Sequence, residues 1–119
     1  MLKLHDIRKD SGLINAIDWD MTPEEAVRLY LEWGNNWARG NYVIRSKHAV
    51  THYFVVNTWE KKPKVFLIRR NSEDAVELAE IELPGDLEDR FLESIGHNRG
   101  VFSIEGEVKT WLKKQLYDT

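Results

Sequence analysis

The chain has 119 residues, of which 42% are hydrophobic and 31% are charged, and its formal net charge is -3 at pH 7. This is the length and composition of one globular domain, so we expect a single α+β domain over residues 1–119. The chain contains no cysteine, which excludes disulfides, iron–sulfur clusters, thiolate zinc sites and cysteine nucleophiles.

The N-terminal sequence and the apolar runs predict where the protein resides. Residues 1–12 lack the apolar core of a secretory signal, and the longest apolar run, YFVVN, is far shorter than the roughly 20 residues of a membrane span. We therefore expect a cytoplasmic protein without a membrane partner. The negative net charge disfavours nucleic acid as a partner.

The clearest predicted element is a helix that begins near Thr22. Thr22 is a suitable N-cap, Pro23 suits the first helical position, and Glu25 completes a capping box. Its apolar residues cover about 200° of the circumference, more than the stripe of an ordinary surface helix. We therefore expect this helix to contact two partners.

An antiparallel sheet of three or four strands is predicted next. Residues 41–46 form a short candidate strand, and residues 49–59 and 64–70 are long candidates rich in β-branched and aromatic residues. Residues 75–84 give a third long strand, although a helix capped by Ser72 is also compatible with this segment. A strand would let the acidic residues of this segment face the basic residues 61–70.

The predicted strands carry large apolar side chains on both faces. In residues 49–59, Phe54 and Val56 alternate with Tyr53 and Val55. A soluble monomer rarely exposes a wide apolar surface, so helices or another subunit must cover each face.

Two helices are predicted after the sheet, over residues 85–96 with a stop at Gly96, and over residues 103–116. Residues 1–21 have the least clear pattern, in which residues 12–19 favour a short helical turn beneath the sheet. We therefore predict an α+β fold with an antiparallel three- to four-stranded meander, one helix before it and two helices after it.

The first candidate ligand site follows the helix that begins near Thr22. Asn35, Asn36, Trp37 and Arg39 offer amides, an aromatic ring and a cation, which suit a small polar molecule or an unstacked base. The alternative is a helix end at which Trp37 packs in the core.

The second candidate ligand site is the loop GHNRG, residues 96–100. His97, Asn98 and Arg99 lie between two glycines, and Arg99 with the loop N–H groups could hold an anion. The alternative is a helix stop followed by a second turn.

The pattern of histidines, serines and acids does not predict a catalytic set. His48 and His52 are four residues apart, which on a strand separates them by about 13 Å, so they cannot share one metal ion. We predict no catalytic residue, no metal and no cofactor. An enzyme using His52 or His97 with a carboxylate is a further hypothesis, which nothing in the spacing selects.

The runs IDWDMTPEEAVRLYLEWGNNW, YFVVNTWE, LIRRN and VKTWLKKQL resemble a family of short proteins from anaerobic, sulfate- or metal-reducing bacteria. The resemblance covers nearly the whole chain. It implies a bacterial, cytoplasmic setting, and because the family has no assigned activity it brings no catalytic residue.

The two-faced sheet and the five tryptophans favour a non-enzymatic domain that acts through protein–protein contacts, most simply as a homodimer. The alternative hypothesis is a module that binds a small polar ligand or single-stranded nucleic acid, using the loop around Trp37 or the loop around Arg99.

Overall fold

A computed structural model of the chain describes residues 1–21, 50–60, 62–70 and 75–117, and these residues have the α+β architecture that the sequence predicts. In chain order they form helices α1 (Leu4–Arg8) and α2 (Ser11–Ala16), strands β1 (Thr51–Asn57), β2 (Lys64–Arg70) and β3 (Ala75–Glu82), helix α3 (Gly85–Ile95), strand β4 (Val101–Ser103) and helix α4 (Gly106–Tyr117). The two helices predicted after the sheet are confirmed as α3 and α4.

The sheet has four strands in the order β3-β2-β1-β4, and all neighbours are antiparallel. The three long strands form the predicted meander, in which Tyr53 lies opposite Ile68 and Phe54 lies opposite Leu67. The fourth strand, β4, follows α3 in the chain and pairs with the free edge of β1. Sequence analysis missed β4, because three residues are too few to show an alternating pattern. The candidate strand at residues 41–46 lies outside the described residues, as does the helix predicted to begin near Thr22.

Residues 75–82 form a strand, which resolves the ambiguity of that segment. The Lys64 ammonium lies 3.0 Å from the Glu80 carboxylate and 3.1 Å from that of Glu60. Lys64 also lies opposite Glu82 in the strand register. The predicted pairing of basic residues with acidic ones across the β2–β3 hairpin is therefore confirmed at Lys64.

One face of the sheet packs against helices to form the main core. Phe54, Val56, Val65, Leu67 and Ile81 are buried in it. The helices contribute further buried side chains: Ile7, Ile14, Leu87, Val108, Leu112 and Leu116. The short helical turn predicted near residues 12–19 is therefore confirmed as α2, which packs on this core.

The opposite face of the sheet is buried as well. Tyr53 is 1% exposed, and Val55 and Ile68 are fully buried. Thr51 and Arg70 are also buried. Residues on both faces of β1 and β2 are therefore buried within a single copy of the chain, as their apolar character requires.

The N-terminal segment is held against the C-terminal helix by polar side chains. The Trp19 indole N–H donates to the Tyr117 hydroxyl at 2.8 Å, and its ring lies 5.4 Å from that of Phe54. The Arg8 guanidinium donates to the backbone carbonyl and the side-chain oxygen of Gln115. These contacts fix α1 and α2 across the end of α4.

Candidate contact site

The end of β1 and the start of β4 are joined by hydrogen bonds between Thr58 and Gly100. The Thr58 N–H and hydroxyl both donate to the Gly100 carbonyl at 2.8 Å, and the Gly100 N–H donates to the Thr58 hydroxyl oxygen at 2.7 Å. These bonds extend the strand pairing one step beyond Asn57 and Val101. The following turn at residues 58–60 and the loop at residues 96–100 are therefore held side by side.

Trp59 projects from this turn into solvent. Trp59 is 66% exposed, whereas the large ring of a tryptophan is more often buried. The Trp59 N–H donates to the Asn57 side-chain oxygen at 2.9 Å, which forms an Asx turn. Trp59 is thus an exposed aromatic residue whose own N–H and preceding residue are both held by hydrogen bonds.

Gly100 lies close to the ring of Trp59. A Cβ atom placed on Gly100 would lie 3.7 Å from Cζ2 of Trp59, and the φ angle of Gly100 is +151°. Residues with a side chain rarely adopt this φ angle, so the backbone conformation favours a glycine here. The space around Gly100 does not require one, because 3.7 Å is an ordinary van der Waals distance.

The loop at residues 96–100 is closed by its own arginine. Gly96 ends α3 with a φ of +61°, as predicted, and its N–H donates to the Leu92 carbonyl. The Arg99 guanidinium donates to the carbonyls of Gly96 and Asn98, both at 2.9 Å. A cation at this position also complements the negative end of the helix dipole.

Of the two predicted ligand sets, the one in the loop at residues 96–100 is described by the structure. His97, Asn98 and Arg99 are all exposed, and the next residue, Gly100, lies close to Trp59. The other predicted set lies outside the described residues: Asn35, Asn36, Trp37 and Arg39.

An open apolar groove lies next to this loop, between α3, β4 and the start of α4. Its volume is about 380 Å³. We call it the α3–α4 groove and define it by its lining residues: Leu87, Arg90, Phe91, Ser94, Ile95, Phe102, Ser103, Glu105, Gly106, Glu107 and Val108. The rings of Phe91 and Phe102 meet edge to face at 5.8 Å between centroids. This volume is within the range of protein sites that accept apolar groups.

The rim of the α3–α4 groove carries more carboxylates than cations. The charged residues that line the groove are Glu105, Glu107 and Arg90. The Arg90 guanidinium forms ion pairs with Glu107 at 3.0 Å and Asp86 at 3.5 Å, and the hydrogen bond that it donates to Glu107 is the main cause of its raised pKa. Two carboxylates and one guanidinium give the rim a net negative charge, which favours a cationic partner.

The exposed Trp59 was not predicted as a site residue. By the alternation of β1 it belongs to the same set as Tyr53 and Val55, which indicated a buried position. The strand instead ends at Asn57. An asparagine two residues before a tryptophan was the one available signal, because asparagine favours turns.

The histidines do not form a metal cluster in the part of the chain that is described. Within residues 1–21, 50–60, 62–70 and 75–117, no group of three histidines or acids is arranged to hold a metal ion. His52 is half-buried on the core face of β1, opposite Arg69. Burial is the main cause of its lowered pKa, and the charge of Arg69 adds to it. His48 lies outside the described residues.

Comparison with known protein families, curated proteins and solved structures finds no match to this chain. Among the described helices, none is both long and apolar enough to cross a membrane. The bacterial and cytoplasmic setting implied by the sequence therefore stays a prediction.

Proposed function

We propose that the protein is a non-enzymatic domain that acts through protein–protein contacts, as a homodimer whose contact surface includes the α3–α4 groove. The observation that carries this proposal is an open apolar groove of about 380 Å³, with half-buried phenylalanines in its lining and carboxylates on its rim. Association would bury the exposed parts of Phe91 and Phe102, which is favourable in proportion to the apolar area removed from water.

The sheet does not need a second copy of the chain to cover it, since residues on both faces of β1 and β2 are buried in a single chain. The groove supplies that reason instead. Its half-buried apolar residues, Phe91, Ile95 and Phe102, line an opening to solvent.

A second copy of the chain also fits the charge of the groove. The loop beside the groove carries the exposed cation of Arg99, and the nearby turn is followed by the exposed Lys62. In a two-fold dimer the same surface is used twice, so the cationic loop of one copy would meet the acidic rim of the other. Such pairs are screened by salt, and we expect the dimer to weaken at high ionic strength.

Sedimentation velocity tests this proposal. We expect a dimer that forms between about 1 and 300 µM, since a small interface with few apolar anchors gives micromolar affinity. Ser94→Arg, which places a long cationic side chain in the groove, should abolish the dimer. Ser94→Ala is the matched control and should leave it intact, because it adds no volume.

Circular dichroism and the urea midpoint of each variant establish that the fold is retained. A wild-type protein that stays monomeric throughout this concentration range would contradict the proposal. So would equal dimerisation of Ser94→Arg and Ser94→Ala.

The binding of a small polar ligand or single-stranded nucleic acid is a second candidate function. It is favoured by one observation: Trp59 lies against Gly100 and so places an aromatic ring next to the loop that contains Arg99. Aromatic rings and arginines together bind unstacked bases. Fluorescence titration of the wild type and of Trp59→Ala with mononucleotides and short oligonucleotides tests it, and no quenching in the wild type would exclude it.

A further inference from the structure

Trp59 and the α3–α4 groove are two unexplained features of one surface. Trp59 is an aromatic residue on an ordered turn, and its side chain projects into solvent. The groove is an apolar depression that is open to solvent. We infer that Trp59 of one copy inserts into the α3–α4 groove of a second copy, and that this contact anchors the homodimer. This inference rests on the proposed function and names the residue that fills the groove.

The positions of the two features suit a two-fold dimer. Trp59 lies against Gly100, and Phe102, two residues further along the chain, lines the groove. Two residues of extended chain span about 7 Å, so the projecting ring and the depression are neighbours on the surface. A two-fold axis between them would place each ring in the groove of the other copy, which gives two identical contacts.

The chemistry of the two features also matches. Tryptophan is the residue type most typical of interface anchors, which fill apolar pockets surrounded by polar residues. The indole would meet Phe91 and Phe102, whose edge-to-face arrangement is also favourable for a third ring. Glu105 and Glu107 at the groove of one copy would then lie near the exposed Arg99 of the copy that supplies the ring.

The fixed backbone of Trp59 makes it suitable for this role. Its N–H is bonded to Asn57, and the preceding Thr58 is bonded to Gly100. Because these bonds already order the turn, less conformational entropy is lost when the ring is immobilised in an interface.

Sedimentation equilibrium of wild type, Trp59→Ala and Trp59→Phe tests the inference. We expect Trp59→Ala to raise the dimer dissociation constant about 30-fold or more, the effect of a strong anchor residue. Trp59→Phe keeps an aromatic ring and should show a smaller increase. Val50→Ala is the control for an exposed apolar residue elsewhere on the surface and should behave as wild type.

A mixing experiment tests whether the ring enters the groove. Trp59→Ala keeps an open groove, and Ser94→Arg keeps the projecting ring, so a mixed dimer can form one of the two contacts. We expect an equimolar mixture to dimerise more tightly than either variant alone and less tightly than wild type.

The possible failures are distinguishable. A wild-type dimer that is unaffected by Trp59→Ala would overturn the inference and leave the proposed function standing. A dimer weakened by Trp59→Ala but not restored by mixing would also overturn it, because the ring would then contact another surface. A wild-type monomer would overturn both proposals.

Discussion

Thr58 and Gly100 are joined by three hydrogen bonds, two of them through the Thr58 hydroxyl, although 42 residues separate them in the chain. Thr58 is buried, so its hydroxyl is removed from water and depends on these bonds. The pair connects the turn after β1 to the loop before β4, and it thereby positions Trp59 beside Gly100.

Replacing the Thr58 hydroxyl should destabilise the fold. Thr58→Val keeps the shape of the side chain but leaves the Gly100 N–H without this acceptor, so we expect the free energy of unfolding to fall by about 1–3 kcal/mol. Urea denaturation measures the loss. Thr58→Ser, which keeps the hydroxyl and removes one methyl group, is the matched control and should lose less. Equal losses in the two variants would show that the hydroxyl contributes nothing.

The backbone of Gly100 gives a second prediction. Residues other than glycine rarely adopt a φ angle of +151°. A methyl group on Gly100 would not clash, because it would lie at an ordinary van der Waals distance of 3.7 Å from Trp59. We therefore expect Gly100→Ala to cost about 1–3 kcal/mol through backbone strain alone. Thermal unfolding followed by circular dichroism measures this cost.

Gly85→Ala is the control for Gly100→Ala. Gly85 is the first residue of α3, its φ is not positive, and nothing lies within 4 Å of its Cβ position. Alanine has a higher helix propensity than glycine, so this variant should be as stable as wild type or slightly more stable. If both variants unfolded at the same temperature, the argument from φ would be wrong.

The core of the fold was predictable because its signals are local. Val65 and Leu67 alternate with Phe66 and Ile68, and this period of two is enough to predict a strand with two apolar faces. The prediction of a strand rather than a helix at residues 75–82 rests on charge, since a hairpin lets acidic residues such as Glu80 face the basic residues of the neighbouring strand. The structure places Lys64 there.

The candidate site was only partly predictable because its contacts join distant segments. The exposed loop with Arg99 follows from Gly96, whose helix-stop role is a local property. Trp59 was harder to identify, because its only local signal is Asn57, and the bonds that order its turn join Thr58 to Gly100, which is distant in the chain. The groove likewise depends on the spacing between α3 and α4, whereas each helix alone shows only an apolar stripe.

The half-buried His52 makes the stability of the fold depend on pH. Burial first, and the charge of Arg69 second, lower the pKa of His52 below its ordinary value of 6.5. Between the pKa of His52 in the native state and 6.5, the unfolded chain therefore binds more protons than the native state. The free energy of unfolding accordingly rises with pH in this range. The contribution of His52 to the free energy of unfolding is complete above about pH 6.5 and is lost as the pH falls through its pKa in the native state.

His52→Gln should flatten this dependence. We expect the wild-type free energy of unfolding to decline more steeply than that of the variant as the pH is lowered from 7, by at most about 1.4 kcal/mol per pH unit for one proton. Urea denaturation at a series of pH values measures both slopes. Val50→Ala removes no titratable group and serves as the control, with a slope like that of wild type. Parallel slopes for wild type and His52→Gln would contradict the assignment, because the lost protonation would then belong to another group.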